Sequence, residues 1–383
     1  MLPLVLFSMP AAFLIAVPLT ALAVRLGRQV GAMDSPGVAG HEKVLRKVPN
    51  VGGIPIAVAV LGPLLFGLLA VEVGGIDFIA RFMPSAMDYA DRISSERLAW
   101  WSIVLGGLFM HLLGLFDDRR PLSPWLKLFI QVLMAGLVVL VGGLRLMTAL
   151  DSLGPPGVAL SAMLTVVWIV MITNAFNFLD NMDGLSGGVA AIAAGVFMAA
   201  TIINGQFFTA MAFGLICGGL LGFLVYNVPP ARIFMGDGGS LLIGFLLAAL
   251  TVRTTFIDSS DPDFALGGAW YGVLMPVVVL AIPIYDLVAV SLLRISQGRS
   301  PMTGDQQHLS HRLRDLGMSS RRAVLVIWAL AAATGVGGIV LGTLQPWQAV
   351  MVGAQTMAII MVLALLETGA RRGGRGSSEG RGE

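Results

Sequence analysis

The chain has 383 residues, of which 56% are apolar and 12% charged, and its mean hydropathy of +0.86 excludes a soluble globular enzyme. At about 20 residues per crossing, that apolar content suffices for roughly ten or eleven membrane-spanning helices. A net charge of +2 carries no nucleic-acid signature, and the single cysteine, Cys217, leaves no intramolecular disulfide or cysteine metal cluster.

In chain order, the first apolar run, residues 2–24, has no basic segment ahead of it and is followed by Arg25 and Arg28, the reverse of a cleaved signal peptide. It reads as a retained first helix with its N-terminus outside. Further runs cover residues 51–74, 98–116, 122–142, 156–174, 185–203, 207–226, 239–257, 269–293, 322–343 and 345–366, each near the length a bilayer requires. The fold class is therefore all-α, a polytopic membrane protein of about 11 transmembrane helices. Lipid offers unpaired backbone no partners, and the runs lack the alternation of barrel strands. Residues 1–368 read as one integral-membrane domain, and residues 369–383, rich in Gly, Arg, Ser and Glu, as a disordered cytoplasmic tail.

Alternating sides from an external N-terminus leaves only Arg81, Arg92, Arg97, Arg145 and Arg253 outside, with the other nineteen of the 24 basic residues cytoplasmic. This bias supports the orientation and puts the C-terminus in the cytoplasm. Polar clusters then fall at cytoplasmic helix ends or connections: residues 34–53, 117–120, 174–188, 232–240 and 298–322. External carboxylates such as Asp258, Asp261 and Asp263 read as a solvated face.

Asp117 and Asp118 are adjacent carboxylates at the mouth of an apolar helix, where like charges need a cation or basic neighbours. Either they pair with Arg119 and Arg120, or they serve metal binding or proton abstraction. Asn177, Asp180 and Asp183 recur every three residues and on a helix would form one polar stripe. Such oxygen donors suit Mg2+ with a phosphate better than zinc. Around Asp237, glycines precede an apolar helix whose free N-terminal amides would attract phosphate. From Asp305 to Gly317 the pattern predicts a short interfacial helix capped by Asp305, with Leu309, Leu313 and Leu316 on one face. His308, His311, Arg312 and Asp315 form the other face, either a basic lipid contact or a phosphate clamp.

Together these segments resemble the bacterial polyprenyl-phosphate N-acetylhexosamine-1-phosphate transferases of glycosyltransferase family 4. That superfamily includes undecaprenyl-phosphate GlcNAc-1-phosphate transferase and phospho-MurNAc-pentapeptide translocase. The matching pieces are Pro49-Asn-Val-Gly-Gly53, Gly114-Leu-Phe-Asp117-Asp118-Arg119, Ser123 with Lys127 and Gln131, and Asn174 through Gly184. Phe234-Met-Gly-Asp237, Pro283-Ile-Tyr-Asp286 and the histidine segment complete the set. The resemblance implies that Asp237, with Asn177, holds Mg2+ (or Mn2+), and that Asp117 and Asp118 are catalytic and handle the lipid phosphate. It places Asn177, Asp180 and Asp183 along the diphosphate and metal site, Phe234 on the uracil, and His308 on the diphosphate or sugar. Lys127 becomes a phosphate partner, as do His311 and Arg312; the basic residue before Pro49 is Lys47 or Arg46. For Phe234 the competing reading is an aromatic that anchors a helix at the interface.

The implied activity is transfer of N-acetylhexosamine 1-phosphate, GlcNAc above all, from a UDP-N-acetylhexosamine to undecaprenyl phosphate, with release of UMP. It implies a multi-pass protein of the bacterial inner membrane with its site on the cytoplasmic face, in contact with the lipid bilayer, binding no nucleic acid and with room for a homodimer. Whether Asp117 acts as base or covalent nucleophile is not decided by sequence. Ser310 stands where the family's middle histidine is usual, and Ser310→His is expected to be tolerated. Pro121 stands where the translocase branch carries lysine, which favours the GlcNAc branch. The rival class is a secondary transporter of a phosphorylated metabolite, supported by Asp286 as an intramembrane acid. Transporter sites lie near the midplane on broken helices, whereas these polar residues gather at one face.

Overall fold

The computed structural model describes residues 1–32, 48–82, 87, 90–255, 274–300 and 307–379. Within them the chain is helical, without β-strands. The helices are α1 Leu2–Val30, α2 Gly53–Phe82, α3 Ala90–Ser95, α4 Arg97–Arg119, α5 Pro124–Leu140, α6 Pro155–Leu179 and α7 Leu185–Ile203. They continue with α8 Phe207–Asn227, α9 Asp237–Thr255, α10 Met275–Val279, α11 Ala281–Ser296, α12 Leu309–Asp315, α13 Ser320–Ile339 and α14 Pro346–Glu379.

Nine helices among the described residues have the length and hydropathy of a membrane span, so the chain is a polytopic membrane protein. The two remaining apolar runs form shorter helices. One is α5; the other is split between α10 and α11 at Leu280. Pro283 explains the split, because it has no N–H to bond the carbonyl of residue 279, one turn earlier. The last helix runs on to Glu379, past residue 368.

Helix α9 is the axis of the bundle: its whole spanning window is buried within protein, whereas α1 and α14 are largely exposed. Neighbours reach it closely through small residues, as expected where helices associate in lipid by packing rather than by water exclusion. A Cβ on Gly106 would lie 2.4 Å from the Phe245 ring, and one on Gly244 would lie 2.8 Å from Thr173 Cα. At the end of α4 the approach is tightest, for a Cβ on Gly114 would fall 2.2 Å from the Asp237 carbonyl oxygen. Backbone cannot yield there as a flexible side chain would.

The two ends of the bundle differ. At one, Arg253 pairs with Glu96, donates through Nε to Thr209 Oγ1 at 3.1 Å and lies 4.8 Å from the Trp100 ring centre. At the other gather the start of α2, the end of α4, the start of α5, the end of α6 and the start of α9. These segments carry Asn50, Asp117, Asp118, Lys127, Asn177 and Asp237.

Replacing Gly114 with Ala is expected to lower the midpoint of thermal unfolding in detergent, at a cost of about 1–3 kcal/mol. Gly62→Ala, at a helical position with nothing within 4 Å of the added Cβ, is expected to be neutral or stabilising. Equal effects of the two substitutions would contradict this packing.

Candidate active site

The site begins with the anion that occupies the start of α9. Asp118 Oδ1 accepts the N–H of Asp237 at 3.0 Å and Asn50 Nδ2 at 3.0 Å, and its Oδ2 accepts the N–H of Gly238 at 3.2 Å. The helix amides expected to wait for a phosphate are thus taken by a carboxylate of the protein itself, a favourable use of a helix N-terminus. Gly236 makes the approach possible. Its φ of 69° is glycine territory, and a Cβ there would lie 2.6 Å from Asp118 Oδ2. On the other side of the turn, His111 donates from Nδ1 to the Gly238 carbonyl at 2.8 Å. Backbone bonds from Gly52 to Phe234 (2.8 Å), Gly53 to Met235 (2.9 Å) and Phe234 to Pro49 (2.8 Å) stitch the segment before α2 to the segment before α9.

This scaffold aims Asp237 at its partners. Lys127 Nζ lies between two carboxylates, 2.8 Å from Asp117 Oδ2 and 3.3 Å from Asp237 Oδ2. Ser123 caps α5 by accepting the Leu126 N–H, which starts the helix one turn ahead of Lys127. Asp117 Oδ1 accepts the Leu122 N–H at 2.7 Å. Asn177 Nδ2 donates to Asp237 Oδ1 and to Ser240 Oγ, both at 3.0 Å. Asn177 therefore holds Asp237 through its amide N–H. Gln131 and Asn174 exchange amide hydrogen bonds across α5 and α6.

The stripe predicted for Asn177, Asp180 and Asp183 is interrupted. Helix α6 ends at Leu179, Asp180 is its C-cap with ψ 49°, and Gly184 follows with φ 75°. Beyond this break Asp183 accepts the Ala231 N–H at 2.9 Å. Asp180 is half-buried, as is Phe234.

The same α6 terminus reaches a second polar group. Phe178, next to Asn177, packs edge-on against His308 with ring centres 5.8 Å apart and lies 5.1 Å from the buried Arg294 guanidinium. His308 donates from Nδ1 to Asp286 Oδ2 at 2.9 Å, and Asp286 Oδ1 accepts the Leu309 N–H at 2.6 Å. Arg312 lies in the same buried group, 3.6 Å from Asp286 Oδ1. Adjacent residues of one helix end thus contact the aspartate group and the histidine group.

The short helix predicted at the histidines forms, but as Leu309–Asp315 with His308 at the N-cap position instead of Asp305, and Gly317 ends it with φ 89°. Asp305, Lys47 and Arg46 lie outside the described residues. Burial holds the His311 imidazole below the ordinary histidine range, and the neighbouring His308 and Arg314 push the same way. Ser310 is 1% exposed and its hydroxyl donates to Asn181 Oδ1. Tolerance of histidine there does not fit this packing.

Asn50, His111, Ser240 and Asp286 join the site through contacts that single-sequence spacing does not show. The signal available for His111 is its place two turns before Asp118 in an otherwise apolar run, an expensive position for an unpartnered imidazole.

Residues 100–255 match the family described as Glycosyl transferase family 4. A probable undecaprenyl-phosphate N-acetylglucosaminyl 1-phosphate transferase of Bacillus subtilis is 27% identical over 86% of this chain and 82% of the relative. A decaprenyl-phosphate N-acetylglucosaminephosphotransferase of Mycolicibacterium smegmatis is 33% identical over 72% of this chain and 71% of its own length. An undecaprenyl-phosphate alpha-N-acetylglucosaminyl 1-phosphate transferase of Escherichia coli is 28% identical over 81% and 76% respectively.

Ser310→Ala is expected to cost about 1 kcal/mol, the ordinary worth of a buried hydrogen bond, and Ser310→His about 1–3 kcal/mol from overpacking. Thermal unfolding in detergent checks both. A histidine variant as stable as the parent would show that the contact between Asn181 and α12 has slack.

Proposed function

The chain belongs to glycosyl transferase family 4, and from that premise we propose that it transfers N-acetylglucosamine 1-phosphate from a UDP-sugar to a polyprenyl phosphate. A phosphate oxygen of the lipid attacks the β-phosphorus of the UDP-sugar, the bond from that phosphorus to the bridging oxygen breaks, and UMP leaves. The reading is carried by one observation: the end of α6 joins the Asp117, Lys127 and Asp237 group to the His308 and Arg312 group at a single end of the bundle. A water-soluble nucleotide and a membrane lipid can meet only at such an end.

The positive-inside bias supports assigning that end to the cytoplasm, with eleven crossings, an external N-terminus and a cytoplasmic C-terminus. The location proposed is the bacterial inner membrane. A single transferase domain over residues 1–368, with the remainder as a tail, belongs to the same proposal, as does assembly as a homodimer.

Among the described residues no three His, Cys, Asp or Glu side chains converge as a ready metal cage. Mg2+ does not require one, since it is commonly held by one or two carboxylates together with substrate phosphates and water. Asp237, a hard oxygen donor at the start of α9 whose exposed edge faces Lys127 at 3.3 Å, fits that pattern. When bound, the metal would supply charge neutralisation for the transferring phosphoryl group. Mn2+ is the alternative ion.

The protein's own part is positioning and electrostatics, which dominate phosphoryl transfer. Lys127 brings a positive charge to the phosphates and is held in place by Asp117, both of whose oxygens are engaged. Asn177 orients Asp237, and Asp118 fixes the turn from which Asp237 projects. His308, His311 and Arg312 supply donors to the diphosphate from the α12 side, Phe234 offers its ring to the uracil, and Asp180 and Asp183 border the pocket. Lys47 is proposed as a further phosphate contact. Asp286, the acid that supported a transporter, is tied to His308 and Arg312 on the same side as the rest, so nothing places it in a translocation path.

Purified protein in detergent, given undecaprenyl phosphate, Mg2+ and a panel of UDP-N-acetylhexosamines, is expected to release UMP only with lipid present, preferentially from UDP-GlcNAc, and to stop on EDTA addition. Asp237→Ala is expected to lose about 10³-fold or more in turnover with little change in thermal unfolding. Full activity in that variant, or no UMP from any sugar with folded protein, would contradict the proposal.

A further inference from the structure

Helix α14 is the most lipid-exposed of the spanning helices, with only 11% of its spanning window buried. Val350, Met351, Met357, Met361 and Leu365 all face outward. Against that background Glu367 is 7% exposed, a carboxylate turned into the protein from a helix with almost no interior face. Such a group is costly unless opposing charge and donors hold it. Two do. The Tyr285 hydroxyl donates to Glu367 Oε2 at 2.8 Å, and Arg312 Nη2 lies 3.2 Å from Glu367 Oε1.

Arg312 thus has two carboxylates beside the same nitrogen, Nη2, at ion-pair distance: Asp286 of α11 and Glu367 of α14. Its Nε and Nη2 are buried and make no hydrogen bond among the described residues. A buried guanidinium N–H without an acceptor calls for one, and a phosphate oxygen matches the planar, charged donor. His308, which shares Asp286, has its Nδ1–H committed to that carboxylate, and among the described residues Nε2 is the ring nitrogen that remains for a ligand. The two carboxylates therefore set the orientation of His308 and Arg312, two of the three side chains that the transferase reading gives to the diphosphate.

We propose that Glu367 is a positioning residue for the nucleotide-sugar: through Arg312 it fixes the guanidinium that receives the diphosphate, which makes the outermost helix part of the active site. Glu367 does not touch substrate in this account. Its effect must pass through Arg312, and the proposal rests on the transferase reading above.

The test is a double-mutant cycle with Glu367→Gln, Arg312→Gln and the pair, each purified in detergent. KM for UDP-GlcNAc, KM for undecaprenyl phosphate, the Kd of UDP by calorimetry and the midpoint of thermal unfolding are measured for all four proteins. Glu367→Gln is expected to raise the KM for UDP-GlcNAc and the Kd of UDP about tenfold, the usual size of losing an orienting partner, with the KM for the lipid within about twofold. In the Arg312→Gln background the same change is expected to add less than about twofold, because the two act as one unit.

Glu367→Gln that shifts only thermal unfolding, or losses that multiply in the double variant, would overturn the inference. So would an equal rise in the KM for the lipid. Should Arg312→Gln not fold, Arg312→Lys takes its place in the cycle, keeping the charge and losing the fork. Parent protein that turns over no UDP-sugar contradicts the transferase reading. Parent that turns over while Glu367→Gln leaves UDP binding unchanged contradicts this inference alone.

Discussion

Asp118 is the charge on which the arrangement of the site turns. Its carboxylate accepts two consecutive backbone amides at the start of α9 and the side chain of Asn50, so that one group on α4 fixes both the turn before α9 and the segment before α2. A helix N-terminus inside a membrane protein has unpaired N–H groups that lipid cannot satisfy, and an anion there completes them while answering the helix dipole. Asp117, the next residue, is left to face Lys127 and through it Asp237. The adjacent acids thus divide into one that builds the turn and one that works within it.

That division depends on how near α4 comes to α9, which glycine decides. Gly114 and Gly236 lie where any side chain would meet the Asp237 carbonyl or the Asp118 carboxylate, and both are flanked by residues of the site. The full burial of α9 follows from the same packing, since neighbouring helices close on it from every side. Polar groups then lie at the ends of a rigid apolar bundle. There they avoid the cost of charge at the bilayer centre and are held to a small range of positions.

Much of this was legible in the chain. Each apolar run corresponds to a helix or a helix pair because hydropathy over about 20 residues reflects a one-dimensional demand of the bilayer. The residues at the polar end were legible too: Asp117, Lys127, Asn177 and Asp237 stand out as polar groups at the edges of apolar runs, and they meet. What the sequence could not give was direction. Asn177, Asp180 and Asp183 have helical spacing, yet the helix stops at Leu179 and sends Asp183 to a different loop. Asp118 looks equivalent to Asp117 until the amides of α9 are in place. Glu367 sits at the end of the last apolar run beside a tail rich in Gly and Arg, where a carboxylate reads as solvated, and only tertiary packing brings Arg312 and Tyr285 to it.

The most direct measurement of the central claim, that Asp118 builds the turn and Asp237 faces the reacting phosphates, is an experimental structure with Mn2+ and UDP-GlcNAc bound, the ion located by its anomalous scattering. The ion is expected at about 2.0–2.2 Å from a carboxylate oxygen of Asp237, the diphosphate between Lys127 and Arg312, and Asp118 still bonded to the amides of Asp237 and Gly238. An ion coordinated by Asp118 with those amides released to the phosphate would contradict it.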